Sequence, residues 1–196
     1  MKNIGLLITA IALIGFIGCK ENKKHAEEVV VEENAKIVDA TADKSAPKTI
    51  TFALAAKSES TAKGKAQFAE LDGGVTFYME LNGLTPGVHA VHIHEKADCS
   101  SPDGKSTGGH WNPTMSKHGK WGDAEGFHKG DIGNLTADEN GNGRISMKTD
   151  EWCIGCDDKN KNILGKAIIV HQGADDYTTQ PTGAAGGRVS CGGIIE

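Results

Sequence analysis

The sequence predicts an all-β domain, an eight-stranded antiparallel barrel or sandwich with two long functional loops. Short runs of alternating or β-rich residues recur eight times between turn residues. No convincing helical stripe of apolar residues appears among these runs, and the 26 glycines of the chain serve the turns of such a fold.

The eight predicted strands lie between residues 48 and 196. In chain order they are TITFALAAK, GKAQFAEL, GVTFYMELN, GVHAVHIHE, DIGNLTA, GRISMKT, LGKAIIVH and RVSCGGII. Two connections between them, Lys96–Gly130 and Gln172–Gly187, are long and rich in glycine. Loops of that length are usually functional or disordered, so we expect functional residues there.

The chain is expected to have three parts. Residues 1–18 contain an apolar run that is too short for a spanning helix of about 20 residues and fits a signal peptide. The small residues before Cys19 resemble a bacterial lipoprotein signal, which implies cleavage there and a lipid on that thiol. Ordinary secretion with a free Cys19 is the alternative. Residues 19–47, rich in Lys, Glu and Ala, suit a flexible tether, and residues 48–196 suit one domain.

Charge and cysteine content narrow the class of protein. The formal net charge is −5 and no basic cluster is evident, so nucleic acid is not an expected partner. Beyond Cys19 the chain has four cysteines, an even number that indicates disulfides in an exported protein. These cysteines are Cys99, Cys153, Cys156 and Cys191.

The fourth predicted strand carries histidines where a strand usually carries Val or Thr. Residues i and i+2 of a strand face the same side, so His92 and His94 point together, roughly 6.6 Å apart, and His89 points away. Two convergent imidazoles indicate a metal. The pair alone is also compatible with a polar, half-exposed strand face.

The first long loop supplies further ligands in the segment GGHWNPTMSKHGKWGDAEGFHKGD. His110, His118, His128 and Asp131 match the tetrahedral preference of Zn²⁺. Four protein ligands leave no open position for substrate, so such a zinc ion would order the loop. His171 ends the apolar strand KAIIVH, where a buried-strand pattern predicts an aliphatic residue.

The motifs VHIHE, GGHWNP, HKGDIGNL, IIVHQGADD and GGRVSCGGI resemble those of the copper/zinc superoxide dismutases in order and approximate spacing. The match covers essentially the whole domain from Lys48 onward. The resemblance implies a Greek-key β-barrel of eight strands, an architecture grouped with the β-sandwiches. It also implies dismutation of superoxide to O₂ and H₂O₂ by a redox-cycling copper ion supported by zinc.

The resemblance implies one copper and one zinc ion per subunit. It assigns copper to His92, His94, His110 and His171, and zinc to His110, His118, His128 and Asp131. His110 would bridge the two ions and pass a proton to the reduced oxygen. His89 is then expected to be a surface or hydrogen-bonding residue and not a ligand.

Further roles follow from the same resemblance. Arg188 matches the arginine that guides the anion beside copper, and Thr182 matches the threonine that narrows the channel. Asp175 matches the carboxylate that links a copper histidine, here His92, with a zinc histidine, here His118. Losing that carboxylate should loosen both sites.

Two pairs of cysteines are expected to form disulfides. The resemblance implies that Cys99 pairs with Cys191, which would tie the metal loop to the last strand. Cys153 and Cys156 depart from the family pattern. A CxxC can be a redox or metal pair, but this one lacks a thioredoxin-like βαβ context, so a local disulfide is favoured.

Three functions remain open at this point. The first is an exported, lipid-anchored dismutase that faces the periplasm or the cell surface and protects the cell envelope. The second is a copper-carrying or copper-buffering lipoprotein without significant dismutase activity, and the third is a silent sandwich with structural zinc. The complete set of copper ligands, together with Arg188, favours the enzyme. Its expected partners are superoxide, as substrate, and a membrane to which a lipid on Cys19 would anchor it. The sequence does not determine the oligomeric state, and a homodimer is one possible arrangement.

Overall fold

The computed structural model describes residues 46–196, and all eight predicted strands are present in it. The strands are β1 (Lys48–Ala56), β2 (Lys63–Leu71), β3 (Gly74–Asn82), β4 (Gly87–His94), β5 (Asp131–Ala137), β6 (Gly143–Thr149), β7 (Ala167–His171) and β8 (Arg188–Gly193). A 3₁₀ helix, Lys105–Thr107, lies in the first long loop.

The amino-terminal predictions fall outside the described residues. These are the signal peptide, the lipidation of Cys19 and nearly all of the tether. Across residues 46–196, no helix has both the length and the apolar character needed to cross a membrane.

The strands close into one antiparallel barrel in the order β1-β2-β3-β6-β5-β4-β7-β8. The chain leaves the sequential order twice, between β3 and β4 and between β6 and β7, as a Greek-key connection requires. The seam between β5 and β6 is narrow, with one residue pair, Ala137 and Gly143. The predicted fold class is therefore confirmed.

Aromatic side chains dominate the barrel core. Phe68 and Phe77 are stacked with ring centroids 4.8 Å apart, and Trp152 packs edge-on against Phe68 at 5.8 Å. Trp152 comes from the connection between β6 and β7, and its Nε1 donates a hydrogen bond to the Lys129 carbonyl at 2.8 Å. Because this indole hydrogen bond is satisfied, the ring can be fully buried at little polar cost.

Strand β4 is buried on both of its faces. Val91 and Ile93 belong to the barrel core. His92 and His94 alternate with them and are also buried, because the first long loop covers their side of the strand. The amide of Trp111 in that loop donates to the Ile93 carbonyl at 2.8 Å. Polar side chains on this covered face need partners.

Two register shifts lie at the covered end of the barrel. One occurs in the β4–β5 ladder and places His92 opposite Asp131. The other occurs in the β7–β8 ladder and places His171 opposite Arg188. A bulge adds one residue to a strand and re-aims the side chains beside it. The shifts therefore bring four chemically active side chains to one end of the sheet.

The structure contains both expected disulfides. Cys99 in the first long loop is bonded to Cys191 in β8, across 92 positions of sequence. Cys153 and Cys156 are bonded to each other, three positions apart. The first bond closes a large loop and the second a very small one, so the chain-entropy model gives them unequal effects on stability.

We predict that the two disulfides differ in their contribution to stability. Replacing Cys99 and Cys191 with Ser should lower the free energy of unfolding by about 5 kcal/mol, and replacing Cys153 and Cys156 with Ser by about 2 kcal/mol. Urea unfolding of both double variants in metal-free form measures the difference. Equal losses would contradict the loop-length argument.

Candidate metal centre

Seven buried side chains form two groups that share His110. The ligand atoms within each group lie within 4.8 Å of one another. The first group, called the strand group below, is His92, His94, His110 and His171. The second, called the loop group, is His110, His118, His128 and Asp131. These are the two sets that the sequence suggested.

The barrel positions the strand group directly. His92 and His94 project from one face of β4, and His171 ends the neighbouring strand β7. His110 belongs to the first long loop but forms an isolated antiparallel bridge with His94. Backbone pairing therefore places all four imidazoles.

Each ring of the strand group uses one nitrogen for a protein hydrogen bond and leaves the other without a partner. For His110 that bond runs from Nδ1 to Asp131, and the other three rings bond elsewhere. The hydrogen bonds join His92 Nε2 to Asp175 Oδ2 (2.8 Å), His94 Nδ1 to the Gly108 carbonyl (2.9 Å) and His171 Nδ1 to the Gly186 carbonyl (3.3 Å). The buried nitrogens without a partner are His92 Nδ1, His94 Nε2, His110 Nε2 and His171 Nε2. Four convergent, unsatisfied imidazole nitrogens fit a copper ion.

The loop group is arranged around the Asp131 carboxylate. The Nδ1 atoms of His110 and His118 each lie 3.0 Å from an Asp131 oxygen, and that of His128 lies 3.2 Å away. Despite these distances, the Nδ1 atoms of His118 and His128 lack hydrogen-bond geometry. Ligands at 2.0–2.1 Å from a tetrahedral zinc ion are about 3.3 Å apart, so this spacing fits zinc.

His110 is the ring that joins the two groups. Its Nδ1 contacts Asp131 and its Nε2 faces the strand group without a partner. Its ring centroid lies 3.8 Å from that of His92 and 5.6 Å from that of His128. One imidazole can therefore contact an ion on each side.

Burial keeps three rings of the strand group, those of His94, His110 and His171, uncharged. Burial, reinforced by neighbouring imidazoles, lowers the pKa of His110 to about 4 and that of His171 to about 3. It also lowers the pKa of His94 well below its ordinary value. Neutral imidazole is the form that binds metals, so these rings need not lose a proton at neutral pH.

His118 differs because two carboxylates contact its ring. Burial acts to lower its pKa, but the adjacent carboxylates of Asp131 and Asp175 outweigh burial and raise the pKa to about 9. Burial likewise opposes the shift at the two carboxyl groups, whose pKa values are nonetheless lowered by their histidine partners. Zinc binding would therefore displace a proton from His118.

Asp175, in the second long loop, links the two groups. Its oxygens lie 2.8 Å from His92 Nε2 and 2.8 Å from His118 Nε2. The Asn134 side chain on β5 holds its backbone by accepting from the Asp175 N–H at 2.8 Å and donating to its carbonyl at 2.9 Å. Asn134 was not predicted; it lies in the motif HKGDIGNL, but a side chain that holds a distant backbone segment leaves no pattern in sequence.

Arg188 lies beside the strand group and is half-buried. Its guanidinium donates to the carbonyls of Gly104 and Gly108, each at 2.8 Å, and to Thr107 Oγ1 at 2.9 Å. The Gly108 carbonyl also contacts His94 Nδ1. One peptide therefore orients both Arg188 and a strand-group histidine. Thr182 lies exposed on the second loop.

The burial of His89 excludes one of the two alternatives that the sequence left open for it. It is 2% exposed, so the expectation of a surface residue is wrong. Its Nδ1 lies 2.8 Å from the His171 carbonyl and its Nε2 lies 2.8 Å from the Thr85 carbonyl. The hydrogen-bonding alternative is the one that the structure supports.

The fold and the site together define a β-barrel protein with two adjoining metal-ligand groups that share one imidazole. Comparison with known families agrees: the family model described as copper/zinc superoxide dismutase matches residues 62–194. The chain belongs to the copper/zinc superoxide dismutase family of oxidoreductases, whose cofactors are copper and zinc.

Two curated relatives carry superoxide dismutase in their names. The chain is 39% identical over 134 residues to a Cu-Zn superoxide dismutase of Aquifex aeolicus, covering 67% of this chain and 78% of the relative. It is 32% identical over 195 residues to the superoxide dismutase-like protein YojM of Bacillus subtilis, covering 97% of this chain and 95% of the relative.

Two solved structures resemble the barrel. A double mutant of a SOD-like protein from Bacillus subtilis has a TM-score of 0.67 and 34% identity, covering 74% of this chain and 97% of that one. The clock protein EA4 has a TM-score of 0.65 and 37% identity, covering 76% of this chain and 96% of that one.

Proposed function

We propose that the protein dismutates superoxide to O₂ and H₂O₂. The observation that carries this proposal is the strand group, a set of four buried imidazole nitrogens without hydrogen-bond partners, beside a half-buried arginine. Redox chemistry on a small anion needs both features, a ligand set for a redox metal and a cation that attracts the substrate.

The strand group would hold copper and the loop group would hold zinc. Bound copper supplies one-electron chemistry, in which one superoxide is oxidised to O₂ and a second is reduced and takes two protons to give H₂O₂. His94 and His171 are oriented by backbone carbonyls, and His92 by Asp175. Such fixed outer contacts hold the ligand rings in a set orientation.

His110 would deliver one of the two protons. Its Nε2 faces the strand group, and its Nδ1 is directed at Asp131 in the loop group. Because Nε2 lies among the strand-group rings without a protein partner, a proton on that atom would be placed for transfer to reduced oxygen. Asp131 keeps the ring in place while Nε2 gains and loses that proton.

Arg188 would attract the anion. Its three hydrogen-bond partners are two backbone carbonyls and a hydroxyl group, so they fix the guanidinium without neutralising it. Two lysines of the first long loop are paired with carboxylates instead, Lys117 with Glu125 at 2.7 Å and Lys129 with Glu151. Arg188 therefore supplies a fixed positive charge beside the strand group.

We also propose that the protein acts outside the cytoplasm, held to a membrane by a lipid on Cys19, where it protects the cell envelope. Two disulfides in one small domain support an oxidising compartment. The apolar run before Cys19 supports export and lipidation.

Copper storage is the second candidate. The relative that covers almost the whole chain is named a superoxide dismutase-like protein. A copper-buffering protein needs the strand group but not a cation that guides an anion. The hydrogen bonds that hold Arg188 beside His94 favour the dismutase.

The dismutase proposal is tested with the full chain after it has been loaded with copper and zinc. We expect the protein to catalyse the decay of superoxide, which pulse radiolysis measures. The catalytic rate should fall as ionic strength rises, because salt screens the attraction between Arg188 and the anion. Protein that binds both metals but leaves the decay rate at the buffer value would support copper storage and contradict the dismutase.

The guiding role of Arg188 is tested by Arg188→Glu, with Arg144→Glu as the matched control. Arg144, on β6, is the chain's other arginine, so both variants carry the same change in net charge. We predict that Arg188→Glu lowers the second-order rate at least about tenfold at low ionic strength with both metals bound. Arg144→Glu should stay close to the wild-type rate. Equal effects of the two substitutions would show that net charge matters and the position of Arg188 does not.

A further inference from the structure

We propose that Gln180 is a positioning residue of the loop group, which holds the backbone of His118 so that its imidazole can bind zinc. The inference rests on the proposed assignment of zinc to the loop group. It adds a residue of the second long loop to the zinc centre.

His118 is the loop-group ligand that the strands position least. His110 is bridged to β4 through His94. Asp131 begins β5, and His128 is tied to it by two hydrogen bonds, one from each backbone amide. His118 lies in a stretch of the first long loop without helix or strand. Its position must therefore come from side chains.

Gln180 supplies the missing backbone partners. Its Oε1 accepts from the His118 N–H at 2.9 Å, and its Nε2 donates to the His118 carbonyl at 2.9 Å. Within residues 46–196, no other hydrogen bond involves the His118 backbone. One amide thus imitates the two-bond pairing of a β-ladder. Much of Gln180 is exposed, but its terminal amide lies against the loop.

The second loop also holds the His118 ring. Asp175 contacts Nε2 at 2.8 Å, which leaves Nδ1 directed at Asp131. Gly183 lies so close to this contact that a Cβ there would overlap Asp175 Oδ1 and lie 2.6 Å from His118 Nε2. One loop therefore fixes the N–H, the carbonyl and one ring nitrogen of the same ligand.

This arrangement makes zinc affinity depend on the second loop. Without the Gln180 amide, the His118 backbone would have to be ordered when zinc binds, and that ordering would weaken binding. Copper affinity should change little, because the strand group contains no residue that Gln180 contacts. By linkage, bound zinc should in turn stabilise the contact between the two loops.

The test compares Gln180→Met with Gln172→Met in the full chain. Met keeps the length of the side chain and removes both hydrogen bonds to His118, together with the longer one to the Thr178 carbonyl. Gln172 is exposed in the same loop, and no hydrogen bond within residues 46–196 involves its side chain. We predict a zinc affinity, by chelator competition, roughly 10- to 100-fold weaker in Gln180→Met, and unchanged in the control. Copper affinity and the metal-free unfolding midpoint should match wild type in both variants.

Wild-type zinc affinity in Gln180→Met would overturn the proposal. If that variant does not fold, amide hydrogen exchange of the metal-free wild type decides the question. We expect the His118 N–H to exchange more slowly than the unbonded amides of the same loop, and fast exchange would overturn the proposal. His118→Ala separates this inference from the zinc assignment. Unchanged zinc binding in His118→Ala would remove the assignment itself, whereas loss of zinc there with normal affinity in Gln180→Met would overturn only the role of Gln180.

Discussion

The pairing of β4 with β5 and β7 is the constraint on which the metal centre depends. Antiparallel pleating directs His92 and His94 to the covered face of β4, and Val91 and Ile93 to the core. The same ladders place His92 opposite Asp131. A slip of one residue would reverse the two faces and bury imidazoles in the aromatic core. Core packing and metal geometry therefore specify the same register.

The centre concentrates polar groups that the fold alone does not satisfy. Six buried ring nitrogens, one on each histidine of the two ligand groups, lack a hydrogen-bond partner. Burial of unsatisfied polar atoms is costly, so the protein without metal carries this cost at one end of the barrel. Carboxylates and backbone carbonyls hold the other nitrogen of every one of these rings except His128, which fixes the direction in which the free nitrogens point. Metal binding and the order of the first long loop are in this way coupled, because the ions would satisfy groups contributed by that loop and by the strands.

Structural features that follow a repeating or alternating residue pattern could be predicted from the sequence. Features that depend on a single contact between distant residues could not. Alternation and turn residues gave the eight strands, and the i, i+2 spacing gave the shared face of His92 and His94. The backbone contacts of Asn134 and Gln180 were not predictable, because an amide that bonds to a distant peptide has no periodicity or spacing. Burial of His89 was missed for the same reason, since its partners are the carbonyls of His171 and Thr85.

The central claim is that two metal ions share His110, and diffraction at the copper and zinc absorption edges tests it most directly. Crystals of the full chain loaded with both metals should show a copper peak among His92, His94, His110 and His171, and a zinc peak among His110, His118, His128 and Asp131. The His110 ring should lie between the peaks, with Nε2 toward copper and Nδ1 toward zinc. A single peak, or two peaks whose nearest residues do not include His110 in common, would contradict the account.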